Sequence, residues 1–205
     1  MNKRLLTIAA LAFALAAGRT DVMAETNRAE ATLGGGCFWC LEAVYDMMEG
    51  VHEAESGYAG GKFKASYQEV TTGQTGHAEV VRVFYDPDVV SYEELLMVFF
   101  SIHDPTTLNR QGADVGTQYR SAVFFHDDAQ KAAADKLIAA LTEQKVYDDP
   151  IVTEVSPLTT YFKAEKYHQD YFVNNKSQGY CRAVINPKVQ KFKKEFADKL
   201  KKDAS

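Results

Sequence analysis

Cysteine is scarce in this chain: three residues in 205, at positions 37, 40 and 181. So few cannot staple a small disulfide scaffold, and an odd count points to a free or exchanging thiol. Basic charge is not in excess either. With 23 Lys and Arg against 28 Asp and Glu the chain carries −5, which argues against nucleic acid as a partner. No apolar run reaches the ~20 residues of a membrane-spanning helix. The glycines at 34–36 lack the G-x-G-x-x-G spacing of a dinucleotide site. Repeats and low-complexity segments are also missing.

What is present begins with the N-terminus. Lys3-Arg4 precede an apolar stretch from Leu5 to Ala17, and Val22-Met23-Ala24 reads as a small-residue cleavage site. Residues 1–24 are therefore expected to be a secretory signal peptide, with no cysteine at the cleavage site to anchor a lipid. That expectation makes the protein exported and periplasmic. Residues 1–24 carry Lys3, Arg4, Arg19 and Asp21, a net of +2, so the rest of the chain stands at −7. Residues 25–29 form a short polar leader, and residues 30–205 are expected to be one domain, a monomer, with an aromatic-rich core of 11 Tyr and 12 Phe to draw on.

The patterning predicts a short strand over Glu30–Gly34, then a helix carrying Phe38, Leu41, Tyr45 and Met48 on one face and stopping at Gly50. Val51–Tyr58 and Glu79–Tyr85 read as strands separated by a glycine-punctuated loop over 61–76. Ser91-Tyr92-Glu93-Glu94 opens a helix as a capping box. Residues 104–117 form a long irregular segment of the kind that often carries function. Strands are expected at Tyr119–Phe125 and Ile151–Val155, and helices at Ala129–Lys145 and Ala164–Asn174. Val189, Phe192, Phe196 and Leu200 mark a final amphipathic helix with a basic outer face. The order predicts an α+β two-layer sandwich, a mixed sheet with packed helices around a ferredoxin-like core, ending in a long irregular C-terminal segment.

The chemistry centres on Gly34-Gly35-Gly36-Cys37-Phe38-Trp39-Cys40. A thiol at a helix N-terminus faces unpaired N–H groups and the positive end of the helix dipole, both of which favour the nucleophilic thiolate. Cys40 lies three residues on, on the same helical face. The C-x-x-C spacing has three readings. A thioredoxin-type redox site expects a proline facing the cysteines a few tens of residues later, and residues 41–86 contain none. A zinc half-site needs two further ligands, and only Cys181 and five scattered histidines are on offer. The third reading is a nucleophile with a resolving thiol.

Gly36-Cys37-Phe38-Trp39-Cys40 resembles the signature of the A-type peptide-methionine sulfoxide reductases. Further blocks match in order: Val51–Gly61, Gly76-His77-Ala78-Glu79, Asp114–Ser121, Tyr167-His168-Gln169 and Gly179-Tyr180-Cys181. The resemblance spans roughly residues 30 to 190. It implies reduction of the S epimer of methionine sulfoxide, free or in proteins, one enzyme type serving each epimer. It implies Cys37 as nucleophile and Glu79 as the acid that protonates the leaving oxygen, kept neutral by burial. Tyr67 and Tyr119 match hydroxyls that hold the oxygen, and Asp114 a carboxylate acting through water. Phe38 and Trp39 suit the S-methyl group, since sulfur–aromatic contacts are favourable. His168 is expected to order local structure.

After oxygen transfer Cys37 is a sulfenic acid, which a second thiol must close on. Cys181 matches the resolving position on a glycine-flanked tail able to reach the nucleophile. Cys40 is adjacent, but a bond within the first helical turn strains its geometry. A relay through both thiols to a thioredoxin-like reductant is expected, with no metal or organic cofactor. The alternatives are a general thiol–disulfide oxidoreductase using Cys37 and Cys40, or a non-enzymatic redox-sensing module.

Overall fold

The computed structural model describes residues 27–202. The expected signal peptide lies outside them, and residues 27–29 are the described part of the leader. The chain folds in the order β1 (Ala29–Gly35), α1 (Phe38–Tyr45), β2 (Val51–Ala59), α2 (Tyr67–Val70), β3 (Ala78–Tyr85) and α3 (Tyr92–Ile102). There follow β4 (Arg110–Gln111), β5 (Asp114–Val115), β6 (Ser121–Phe125), α4 (Asp128–Glu143), β7 (Glu154–Pro157), β8 (Tyr161–Lys163), α5 (Tyr171–Asn174) and α6 (Asn186–Glu195).

Six strands make one sheet in the order β7-β6-β1-β3-β2-β8, while β4 and β5 pair separately. Every neighbouring pair in the large sheet is antiparallel except β6 with β7. The inner order β6-β1-β3-β2, with α1 and α3 as the crossovers, is the split βαββαβ arrangement of a ferredoxin-like core. The α+β mixed sheet with packed helices is thus as expected.

Hydrophobic patterning accounts for the packing. Ala31, Leu33, Val81, Val83 and Val123 of the sheet join Leu41 and Val44 of α1 and Leu95, Val98 and Phe99 of α3 in one buried cluster. Each large side chain buried there stabilises the fold by ~1.5–3 kcal/mol. A smaller cluster of Ala59, Ala78, Val80, Ala122 and Phe124 gathers under Leu158 and Tyr161.

Polar caps set the helix starts. Ser91 and Glu94 form the expected capping box of α3, and Asp127 caps α4 by accepting from Gln130 N–H. Before α1 the chain turns through Gly36 at φ +90°, a conformation glycine adopts without steric penalty.

Several elements depart from the sequence reading. The 61–76 loop contains α2, nucleated by a Ser66–Glu69 capping box too short to show a hydrophobic period. Residues Thr117–Tyr119 form a 3₁₀ turn, so the strand expected from Tyr119 begins at Ser121. The strand expected at Ile151–Val155 shifts to Glu154–Pro157, and β8 was not anticipated. The helix expected over 164–174 breaks at Asp170, which sits at φ +54°, into a 3₁₀ turn Lys166–His168 and α5. The last helix ends at Glu195; Leu200 instead forms a β-bridge with Met48. A π turn, Cys181–Ile185, leads into α6.

Candidate active site

Seven of the nine residues singled out from sequence converge on one pocket. Cys37, Phe38, Trp39, Tyr67, Glu79, Asp114 and Tyr119 line a cavity of about 230 Å³, and Tyr180 completes it. Six elements deliver them: the β1–α1 turn, α1, α2, β3, β5 and the 3₁₀ turn before β6. Cys40 and Cys181 do not line it.

Cys37 is the N-cap of α1, with non-helical φ −58° and ψ 123°, and its sulfur makes no cap bond. The first free helix N–H, that of Phe38, instead donates to Glu79 Oε2 at 3.1 Å. Cys37 is 7 % exposed, and burial pushes its thiol well above its usual range. The sequence reading, that the helix start favours the Cys37 thiolate, names one of two opposing effects: desolvation of the thiol, together with the neighbouring Cys40, works against the charge. Because Cys37 stands outside the helix proper, a bond between the two sulfurs does not have to unwind the first turn.

Glu79 is 1 % exposed at the start of β3, opposite Tyr58 in the register. Burial raises its pKa from 4.5 to about 8, with the Phe38 N–H opposing and Asp114 adding to the rise. The carboxyl is therefore protonated near neutral pH, a proton source in a dry pocket.

Tyr67 opens α2, its backbone N–H donating to Glu165 Oε1 at 2.9 Å. Tyr119 ends the 3₁₀ turn. Desolvation raises both phenols, Tyr67 to about 12, so both keep their protons. Neither hydroxyl has a hydrogen-bond partner among the described residues, which leaves both donors free for a ligand.

The apolar wall is built by stacking. Trp39 lies flat on Tyr171 at 3.6 Å between ring centroids and meets Tyr180 edge-on at 5.9 Å. Phe38 contacts His168 at 4.9 Å and Tyr58 at 5.9 Å. His168, 1 % exposed, is sandwiched by Phe38, Trp39, Tyr67 and Tyr167. Burial lowers its pKa, so it packs as a neutral ring.

The second-layer residues escaped the sequence reading. Tyr180 donates to Asp114 Oδ2 at 2.6 Å and lies within hydrogen-bonding reach of Cys37. Its one sequence signal was adjacency to Cys181. Glu165 accepts from Tyr58 at 2.8 Å as well as from Tyr67 N–H. Glu42 of α1 accepts from Ser56 at 2.9 Å and from the N–H of Tyr171 at 3.3 Å, fixing the ring beneath Trp39. Burial raises its pKa to about 7. His103 closes the back of the turn, bridging Phe99 O and Ser121 Oγ at 2.5 and 2.7 Å.

Cys181 is fully buried in the π turn, and burial raises its pKa. The expected free-reaching tail is packed here, because Ile185, Val189 and Phe192 bury themselves in the core beside it. Among the described residues no His, Cys, Asp and Glu cluster could hold a metal ion, and no helix is long and apolar enough to cross a membrane.

Residues 29–200 match the family model described as peptide methionine sulfoxide reductase. The peptide methionine sulfoxide reductase MsrA 1 of Rhodopirellula baltica is 53% identical over 88% of this chain and 94% of its own length. Mxr1 from Saccharomyces cerevisiae in reduced form superposes with a TM-score of 0.70 at 36% identity, over 77% of this chain and 91% of that one. Mxr1 in complex with Trx2 matches at TM-score 0.50 and 27% identity, covering 73% and 90%. A family match over the whole described sheet, with the thiol, the buried acid and the aromatic wall in a single pocket, leads to one conclusion: this chain belongs to the peptide methionine sulfoxide reductase family.

Proposed function

We propose that this chain reduces methionine sulfoxide to methionine, taking the S epimer, through Cys37 as nucleophile and Glu79 as general acid. One observation carries the reading. A thiol, a protonated carboxyl, two unpartnered phenols and an aromatic wall share one 230 Å³ pocket. Each answers a need of the reaction. The sulfoxide sulfur is electrophilic and its oxygen basic. Tyr67 and Tyr119 donate to the oxygen and Glu79 gives it a proton, while Phe38 and Trp39 enclose the methyl group. Asp114, already accepting from Tyr180, is suited to hold a water on the same oxygen.

In the first half-reaction a thiol and a sulfoxide become a sulfenic acid and a thioether. Oxygen moves from the substrate sulfur to Cys37, which loses two electrons as the substrate gains two. Cys40 then attacks the Cys37 sulfenic acid; the S–S bond forms, the S–O bond breaks, and the oxygen leaves as water. The two cysteines share the wall of one cavity, which supports Cys40 as the first resolving residue. Cys181 is buried in the π turn and lines neither cavity that Cys37 faces, which supports a later relay role. A thioredoxin-like protein supplies the electrons, a reading supported by the Mxr1 complex with Trx2. Export to the periplasm, from the Lys3–Ala24 pattern, and action as a monomer complete the proposal.

The test is consumption of methionine S-sulfoxide with dithiothreitol. Activity should vanish in Cys37→Ser, whose fold is retained. A parent that ignores the sulfoxide yet reduces insulin disulfides is a general oxidoreductase, and a parent that does neither is a sensor.

A further inference from the structure

The indole of Trp39 lines the sulfoxide pocket, yet its N–H is buried without a hydrogen-bond partner among the described residues. Ring contacts, not a hydrogen bond, therefore orient it. The tightest is the Tyr171 ring, parallel to the indole within 6° and 3.6 Å away between centroids. We propose that Glu42 is a positioning residue for sulfoxide reduction: it grips the backbone of Tyr171 so that the Tyr171 ring sets the plane of Trp39, and thereby limits the alkyl group on the substrate sulfur to a methyl. The inference rests on Trp39 enclosing that methyl, as proposed above.

Three observations carry it. First, Glu42 follows Trp39 by three residues in α1, so the two side chains share one face of the helix. Trp39 takes the ring of Tyr171, and Glu42 Oε2 accepts from its N–H at 3.3 Å. Two contacts from one helix thus hold one residue by its ring and by its backbone.

Second, α5 depends on such a hold. It spans only Tyr171–Asn174, follows Asp170 at φ +54°, and has no side-chain cap of its own. Four residues do not sustain a helix unaided. The segment is braced from β2 as well. Ser56 N–H donates to Gln169 Oε1 at 3.1 Å, and Gln169 Nε2 donates back to Ser56 O at 3.0 Å. The Ser56 hydroxyl donates to Glu42 Oε1 at 2.9 Å. Ser56 therefore steadies both the carboxyl and the chain two residues before Tyr171.

Third, Glu42 is 1 % exposed and Ser56 is wholly buried. The hydrogen-bond partners of the carboxyl are a hydroxyl and an amide, not a cation. A carboxyl buried in this way costs stability unless its oxygens are engaged, and here both oxygens serve the mounting of Tyr171.

The test compares methionine S-sulfoxide with its S-ethyl homologue, ethionine S-sulfoxide, using full-length enzyme and dithiothreitol. The parent should favour methyl over ethyl by roughly tenfold or more in kcat/KM, the worth of one methylene in an apolar pocket. Glu42→Ala should erase about tenfold of that preference, chiefly through a higher KM for the methyl substrate. It should also shift the emission of Trp39, the one tryptophan, as Tyr171→Ala does. Glu42→Gln, whose amide oxygen can still accept from Tyr171 N–H, should return both readouts toward the parent. The double variant Glu42→Ala/Tyr171→Ala should be no less selective than Tyr171→Ala alone, since both act through one contact. A parental preference in Glu42→Ala, or losses that multiply in the double variant, overturns the proposal. If Glu42→Ala does not fold, Glu42→Asp decides, because it keeps the charge and shortens the reach: a narrowed preference supports the proposal and a parental one overturns it. A parent that reduces both sulfoxides equally overturns the methyl role of Trp39, and one that reduces neither overturns the reaction itself; either result takes this inference with it.

Discussion

Glu79→Gln is the sharpest probe of the acid, because it makes opposite demands on activity and stability. Burial raises the Glu79 pKa from 4.5 to about 8. Between those pH values the folded protein holds a proton that the unfolded chain has released. Stability therefore falls as pH rises across that window, by ~1.4 kcal/mol per pH unit, and is lowest once pH passes the folded pKa. Over the whole window this amounts to roughly 5 kcal/mol. A glutamine cannot ionise, keeps the volume, and can still accept from Phe38 N–H through its carbonyl oxygen. Glu42 and Asp46, raised by burial to about 7 and 6, titrate in both proteins and cancel in the difference. Urea unfolding of the reduced proteins from pH 5 to 8.5 should show near-equal stability at the acid end and a widening advantage for Glu79→Gln toward pH 8. Sulfoxide reduction by the same variant should fall by ~10²–10⁴, and the parental rate should decline as pH rises through about 8. A stability difference that stays constant with pH means that Glu79 is already ionised at rest, and the assignment of the acid fails.

Further outcomes follow from the geometry. Tyr67→Phe and Tyr119→Phe should each lower kcat/KM for the sulfoxide by about ten- to a hundredfold, the worth of ~1.5–3 kcal/mol of hydrogen bonding to a charged oxygen, with thermal unfolding little changed. Cys40→Ser should accumulate an enzyme heavier by one oxygen after one equivalent of sulfoxide, whereas Cys181→Ser should form the Cys37–Cys40 disulfide at the parental rate; the reverse pattern makes Cys181 the first resolving thiol. Gly36→Ala should destabilise the protein by ~1–2 kcal/mol or more, since its φ of +90° is strained for alanine and the new methyl would stand 2.5 Å from Gln111. Calorimetry checks the stability, and turnover should drop with it because this turn carries the nucleophile.

Local signals made much of the scaffold legible. The apolar run of β3, the Ser91 capping box and the glycine stop after α1 are short-range effects, and each gave its element within a few residues. What failed was set by distant packing. Tyr119 reads as strand by its β-propensity, yet the 3₁₀ turn rotates it into the pocket. Tyr67 sits on a four-residue helix that offers no period to detect, although Ser66 and Glu69 were there to cap it. The burial of Cys37 was illegible for the same reason: the helix terminus is visible in sequence, but Tyr180, which lines the pocket beside the thiol, lies some 140 residues along the chain. The membership of the site came from ordered motif blocks, not from periodicity, because no local rule links Cys37 to Asp114 or Glu79.

The single tryptophan has a practical consequence. Its indole rests on Tyr171 and meets Tyr180 at right angles, two positions from the nucleophile. Its fluorescence thus reports one environment, and every change of sulfur oxidation state at Cys37 or Cys40 should alter its intensity. The protein carries an intrinsic optical gauge of its own catalytic cycle, readable in a stopped-flow instrument without any label.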